Sequence, residues 1–203
     1  MDMSVTPTPG NAPPRDAAAS PWNVPNILTW VRIAAIPLVV LAFYAPYRWA
    51  NPTAGLIFAA AGITDTLDGY LARRLGQMTR LGAFLDPVAD KLIVATALVL
   101  LVAKDARAVV VLMAVVIIGR EIAISALREW MAELGQRRKV AVSWLGKSKT
   151  IFQVVGLAMM LYRSDFLGLP IYRMGLWLSV AAAVLTLVSM VAYLKAAWPD
   201  LKG

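Results

Sequence analysis

The chain has 203 residues, 60% of them hydrophobic and 16% charged, with a formal net charge of +8. An average soluble domain is about 45–50% apolar and about 25% charged, so this composition excludes an ordinary soluble globule and leaves room for one membrane domain of about six spans. With no cysteine and no histidine, disulfide, thiolate and imidazole chemistry are excluded too, and a metal site or a general base must be built from carboxylates, lysine or tyrosine.

Residues 1–20 are rich in Pro, Ala, Thr and Ser and have almost nothing to bury, which predicts a disordered N-terminal tail. No basic segment precedes an apolar core there, so a cleaved signal peptide is not expected. Residues 21–203 then form a single membrane domain. Trp22 and Trp30 bracket Pro25 and Asn26, a pattern that suits an N-terminal juxtamembrane amphipathic helix at the interface. The apolar runs that follow predict an all-α fold of six transmembrane helices, at about 26–44, 53–73, 82–103, 107–127, 147–163 and 173–195. Only Lys104-Asp105-Ala106-Arg107 separates the third from the fourth, which makes a tight hairpin. There is no internal repeat.

The basic residues sit in short loops between these runs. Twelve Lys and Arg, among them Arg73, Arg74, Arg80, Arg137, Arg138 and Lys139, fall on the side of the two termini, against five on the other. This bias predicts both termini in the cytoplasm. The same placement points to anionic lipid rather than nucleic acid, because no aromatic-interleaved basic stretch or zinc pattern accompanies the charge.

Four acids stand at two predicted helix ends. Asp65 and Asp68 are three residues apart and Asp86 and Asp90 four apart, so each pair shares a helix face. The intervening residues include Gly76 and are long enough to turn the chain back and set the pairs against each other. Each ionised Asp in the apolar region costs about 2.5–3.5 kcal/mol or more, so the group needs neutralising. Arg73, Arg74, Arg80 and Lys91 can contribute, and two divalent cations do it better. Oxygen donors alone favour Mg²⁺ or Mn²⁺ over Zn²⁺, and two such ions on carboxylates are suited to phosphoryl displacement. A structural salt-bridge network is the alternative. Gly69 and Ala72 leave room for a ligand, or for close helix packing.

The pattern D-x2-D-G-x2-A-R-x8-G-x3-D-x3-D, filled here by Asp65, Asp68, Gly69, Ala72, Arg73, Gly82, Asp86 and Asp90, resembles the signature of the CDP-alcohol phosphotransferases. The resemblance implies six membrane helices after a juxtamembrane helix, a homodimer, and a bound pair of Mg²⁺ or Mn²⁺ ions. It assigns metal binding to Asp65, Asp68, Asp86 and Asp90, with Asp90 also the general base. Gly69, Arg73 and Thr79 would contact the CDP part of the donor lipid. Asn26-x2-Thr29-x2-Arg32 is similar to the first-helix segment that closes over the nucleotide, although Arg32 also fits a side chain snorkelling to the interface.

The segments Gly119–Glu133 and Val140–Thr150, with Asn23–Thr29, resemble the branch of that family whose donor is CDP-diacylglycerol and whose acceptor is glycerol 3-phosphate. That implies phospholipid biosynthesis in a bacterial inner membrane, with the site facing the cytoplasm. Arg120, inside an apolar run, and Lys147 and Lys149 at the start of the fifth span are suited to one acceptor phosphate. Arg128, Arg137, Arg138 and Lys139 read instead as topological anchors. Two alternatives stand beside this reading: a related synthase with an inositol-phosphate or phosphatidylglycerol acceptor, and a small cation transporter. The transporter more often carries its acids near the midplane in repeated halves.

Overall fold

The computed structural model describes the backbone of residues 24–75, 80–133 and 144–201, and the side chains of residues 26–65, 82, 84–133, 150–192, 194, 195 and 198. Six helices account for it: α1 (Val24–Tyr44), α2 (Ala50–Leu75), α3 (Arg80–Lys104), α4 (Ala108–Glu133), α5 (Trp144–Tyr162) and α6 (Ile171–Leu201). Short connections make consecutive helices antiparallel, so one end of the bundle gathers the starts of α1, α3 and α5 with the ends of α2, α4 and α6. α1 begins at Val24 and runs on without a break, with Pro25 in its first turn, where a missing N–H is no loss. The expected juxtamembrane segment before Val24, and the expected tail, lie outside the described residues.

The helices are apolar nearly all round, and large side chains such as Leu41, Leu56, Ile63, Val99, Leu112, Val115, Trp177 and Val188 are exposed. A water-soluble surface does not carry apolar area on this scale; a bilayer-facing one does. Among the described residues, Asn26–Tyr44, Ala108–Glu133 and Ile171–Ala192 are long and apolar enough to cross a membrane, and Thr150–Tyr162 is a shorter apolar helix. The chain is an all-α multi-pass membrane protein.

Inside, each helix presents a stripe at helical spacing. The stripes are Ala35, Val39, Ala42 and Phe43 on α1; Ala54, Phe58 and Ala61 on α2; Ile93, Ala97, Leu100 and Leu101 on α3; and Leu157, Met160 and Leu161 on α5. α1 packs on α2 and α3, α5 on α6 and α2, and α4 on α6 and α3. α2 meets α5 through two glycines. A Cβ on Gly55 would stand 2.6 Å from the Tyr162 backbone nitrogen, which only glycine permits, and one on Gly62 would stand 2.6 Å from Val154 Cγ1, which would have to shift.

The helices cover the expected spans, but α4 and α6 run about six residues past them. In α4 the extra turns add Met131, buried with Ile124 and Leu127, and Met190 of α6 packs on them.

Candidate active site

At the acid-bearing end the core stripes keep their spacing and change their chemistry. On α1 the positions before Ala35 are Asn26, Thr29 and Arg32, all buried. On α2 the position after Ala61 is Asp65. On α3 the positions before Ile93 are Gly82, Asp86 and Asp90. The stripe of α4 passes from Ile117 to Ile124 through Arg120 and Glu121, and that of α5 begins at Gln153, also buried. Apolar packing thus gives way to a polar interior where five helices converge.

Arg32 is the centre of it, with only 1% of its side chain exposed. Its guanidinium holds Asp65 of α2 through Nη2 at 3.1 Å and donates from Nη1 to Asp90 of α3. A planar fork can serve two carboxylates at once where an ammonium serves one point. Thr29, one turn earlier, donates from Oγ1 to Asp86. Snorkelling, the alternative for Arg32, is not what the side chain does: it turns inward and ties three helices together. Pro87 stands between Asp86 and Asp90 within α3; it lacks the N–H that would close on the carbonyl of residue 83, which loosens the helix at the acids.

A cavity of about 240 Å³ opens from these acids toward α4 and α5. Asp65, Asp90, Lys91 and Arg32 form one wall; Arg120, Glu121 and Arg128 of α4 and Thr150 and Gln153 of α5 form the other. Arg120 lies mid-helix, paired through Nη1 with Glu121 at 3.1 Å, while Nη2 reaches Thr186 Oγ1 at 3.4 Å. Its Nε is buried with no hydrogen-bond partner, and the residue as a whole lines the cavity.

Of the residues singled out in the sequence, the structure brings Asn26, Thr29, Arg32, Asp65, Asp86, Asp90 and Arg120 to this end of the bundle. Asp68, Gly69 and Arg73 lie on α2 beyond Asp65, and Lys147 and Lys149 lie in the first turns of α5, but their side chains are outside the description. Thr79 falls outside the described residues altogether. Arg128, read above as an anchor, lines the cavity. Gln153, Thr186 and Glu121 were not singled out. Their one signal was a polar side chain at a position whose neighbours three and four residues away are core.

Among the described residues no three acids close round a single ion. The donor set nevertheless fits hard divalent cations. It consists of carboxylates only, and Asp65 and Asp90 already converge on one positive charge, the Arg32 guanidinium.

A family model described as CDP-alcohol phosphatidyltransferase matches residues 22–192. A Salmonella choleraesuis protein named CDP-diacylglycerol–glycerol-3-phosphate 3-phosphatidyltransferase is 53% identical over 180 residues, 89% of this chain and 97% of its own length. An Escherichia coli K12 protein of the same name matches at the same identity and coverage. The crystal structure of phosphatidylinositol phosphate synthase from Mycobacterium tuberculosis, in apo form, superposes with a TM-score of 0.58 over 86% of this chain and 87% of that one. At 22% identity it speaks for the fold alone.

Proposed function

The chain belongs to the CDP-alcohol phosphatidyltransferase family, and we propose that it transfers the phosphatidyl group of CDP-diacylglycerol to the primary hydroxyl of glycerol 3-phosphate, releasing CMP. The observation that carries this reading is the shared cavity, with Asp65 and Asp90 on one side and Arg120 and Arg128 on the other. A phosphorylated alcohol needs a cationic grip for its phosphate and a carboxylate at its hydroxyl, and one compartment offers both.

Asp65, Asp68, Asp86 and Asp90 would hold two Mg²⁺ or Mn²⁺ ions beside the donor diphosphate. When bound, such ions supply positive charge against the diphosphate and align the attacking and leaving oxygens. Arg73, Gly69 and Thr79 take the CDP part, Asn26 belongs to the first-helix segment that closes over the nucleotide, and Thr29 and Arg32 of that segment also fix the acids. Arg32 engages one oxygen of Asp90 and so orients the carboxylate that accepts the proton of the primary hydroxyl. The freed oxygen attacks the lipid-side phosphorus, the bond from that phosphorus to the CMP phosphate breaks, and CMP departs with the electron pair. Arg120, Lys147 and Lys149, joined by Arg128, hold the acceptor phosphate by charge-assisted hydrogen bonds. The acid-bearing end and both termini face the cytoplasm of a bacterial inner membrane, and the working form is a homodimer.

Purified protein given CDP-diacylglycerol and glycerol 3-phosphate should release CMP, lose that activity on chelation and regain it with Mg²⁺ or Mn²⁺. Plain glycerol, inositol phosphate and phosphatidylglycerol should be poor acceptors. Release with one of these and not with glycerol 3-phosphate would move the chain to another branch. Uptake of cations without CMP release would make it a transporter.

A further inference from the structure

Gln153 lines the cavity, and the reaction scheme leaves it without a task. It is 6% exposed and occupies the core stripe of α5 one turn before Leu157. It lines the same cavity as Asp65, Asp90 and Arg120. Its carboxamide makes no hydrogen bond to any described residue, yet it is not among the fully enclosed polar atoms that lack a partner. Its hydrogen-bonding capacity therefore opens on the cavity. An amide in the apolar core of a membrane helix is unfavourable unless something pairs with it. The next residue, Val154, sits against Gly62, one turn before Asp65, so this amide stands on a part of α5 packed closely on the acid-bearing helix.

Glycerol 3-phosphate offers three polar handles. Its phosphate belongs to the cations and its primary hydroxyl to Asp90. The secondary hydroxyl, between them, both donates and accepts. A carboxamide, with one acceptor oxygen and two N–H donors, complements it. We propose that Gln153 is a specificity-determining residue that hydrogen-bonds the secondary hydroxyl of the acceptor, which gives the site a third point of attachment. The inference rests on the acceptor assignment above.

The test compares glycerol 3-phosphate with 3-hydroxypropyl phosphate, which keeps the phosphate and the primary hydroxyl and lacks the secondary one. Wild type should prefer glycerol 3-phosphate in kcat/KM by about 10–100-fold, the value of one buried hydrogen bond. Gln153→Met, which keeps the volume and removes the amide, should lose that much on glycerol 3-phosphate and almost nothing on the deoxy acceptor. The ratio then collapses toward one. Both rates come from one preparation, so the ratio does not depend on how much of it is folded, and Gln153→Ala repeats the measurement with a smaller side chain. A ratio that stays at the wild-type value in both variants overturns the proposal, as does joint loss of both activities, or a wild type that does not distinguish the two acceptors. Failure of the underlying reading looks different: wild type would release CMP with another acceptor and none with either of these.

Discussion

A guanidinium taken almost wholly out of water carries a desolvation penalty, which is offset only when its hydrogen bonds are well made and its countercharges close. Arg32 meets both conditions by holding Asp65 and Asp90 together. The pair it makes with Asp90 also sets what a substitution there does. Asp90→Asn keeps the shape, removes the proton acceptor and weakens the hold on Arg32, so CMP release should fall about 10²–10⁴-fold. Binding of CDP-diacylglycerol, measured by direct titration with labelled lipid, should persist, since Gly69, Arg73 and Thr79 are untouched. Turnover within tenfold of wild type would take the base role from Asp90. The residues themselves were legible in the sequence, because the acids and the Asn26-x2-Thr29-x2-Arg32 pattern stand out at fixed spacing. What Thr29 and Arg32 touch was not. Their partners lie 57 and 58 residues further on, and no local pattern states which pairs of turns face each other. Gln153 left even less trace, since one amide in an apolar helix belongs to no motif.

Helix by helix, the site is the core carried on in polar residues, so what seats the helices also seats the acids. α2 and α5 close on each other where Gly62 meets Val154. Gly62→Ala should press the helices apart beside Asp65 and lower kcat, while leaving expression and helical content near wild type. Adding Val154→Ala should restore much of the loss, because it removes the methyl group the new Cβ meets. A double variant no better than the single one would place the defect elsewhere. The opposite end has its own fastening. Asp105, in the turn between α3 and α4, accepts hydrogen bonds from Arg107, with Nη2 at 2.7 Å, and from the Tyr172 hydroxyl at the start of α6. The guanidinium groups of Arg107 and Arg163 lie 5.9 and 5.2 Å from the centre of the Tyr172 ring. α5 ends there, with Arg163 in the left-handed region at φ 58°. The hydrogen bonds from Arg107 hold the Asp105 carboxyl well below the usual carboxylate range. Its contribution is therefore fully present above the unfolded value of about 3.9 and is lost as pH falls toward the depressed folded value. Asp105→Asn should cost about 1–2 kcal/mol, seen as a lower thermal midpoint in detergent that is constant from pH 5 to 8. The gap from wild type should narrow only under strong acid, and a gap that narrowed near neutrality would contradict this origin. The hairpin was legible from four residues. Its tie to α6 was not, for the same reason that hid the partners of Arg32.

On the scale of the whole molecule, the described groups assigned to the reaction lie at one end of the bundle, so sidedness decides which compartment supplies the substrates. A phosphorylated alcohol and a nucleotide headgroup are multiply charged, and moving either through hydrocarbon is far costlier than burying the single charges this chain already carries. Both must therefore reach the acid-bearing end from the side where they are made. The Lys and Arg bias, twelve against five, predicts that this end faces the cytoplasm. The absence of cysteine makes a direct test clean, since a single introduced thiol is the only one present. Glu133, at the end of α4, and Asp165, in the α5–α6 connection, are both exposed and lie at opposite ends of the bundle. In intact bacterial cells, a membrane-impermeant maleimide should label Asp165→Cys and spare Glu133→Cys until the membrane is permeabilised. Neither residue belongs to the cavity, so CMP release by both variants should stay near wild type and certify the fold being labelled. The reverse pattern would turn the bundle over and put the acids, and the supply of glycerol 3-phosphate with them, on the outer side. Labelling of both thiols in sealed cells would mean mixed insertion, in which case the charge bias does not set the orientation alone.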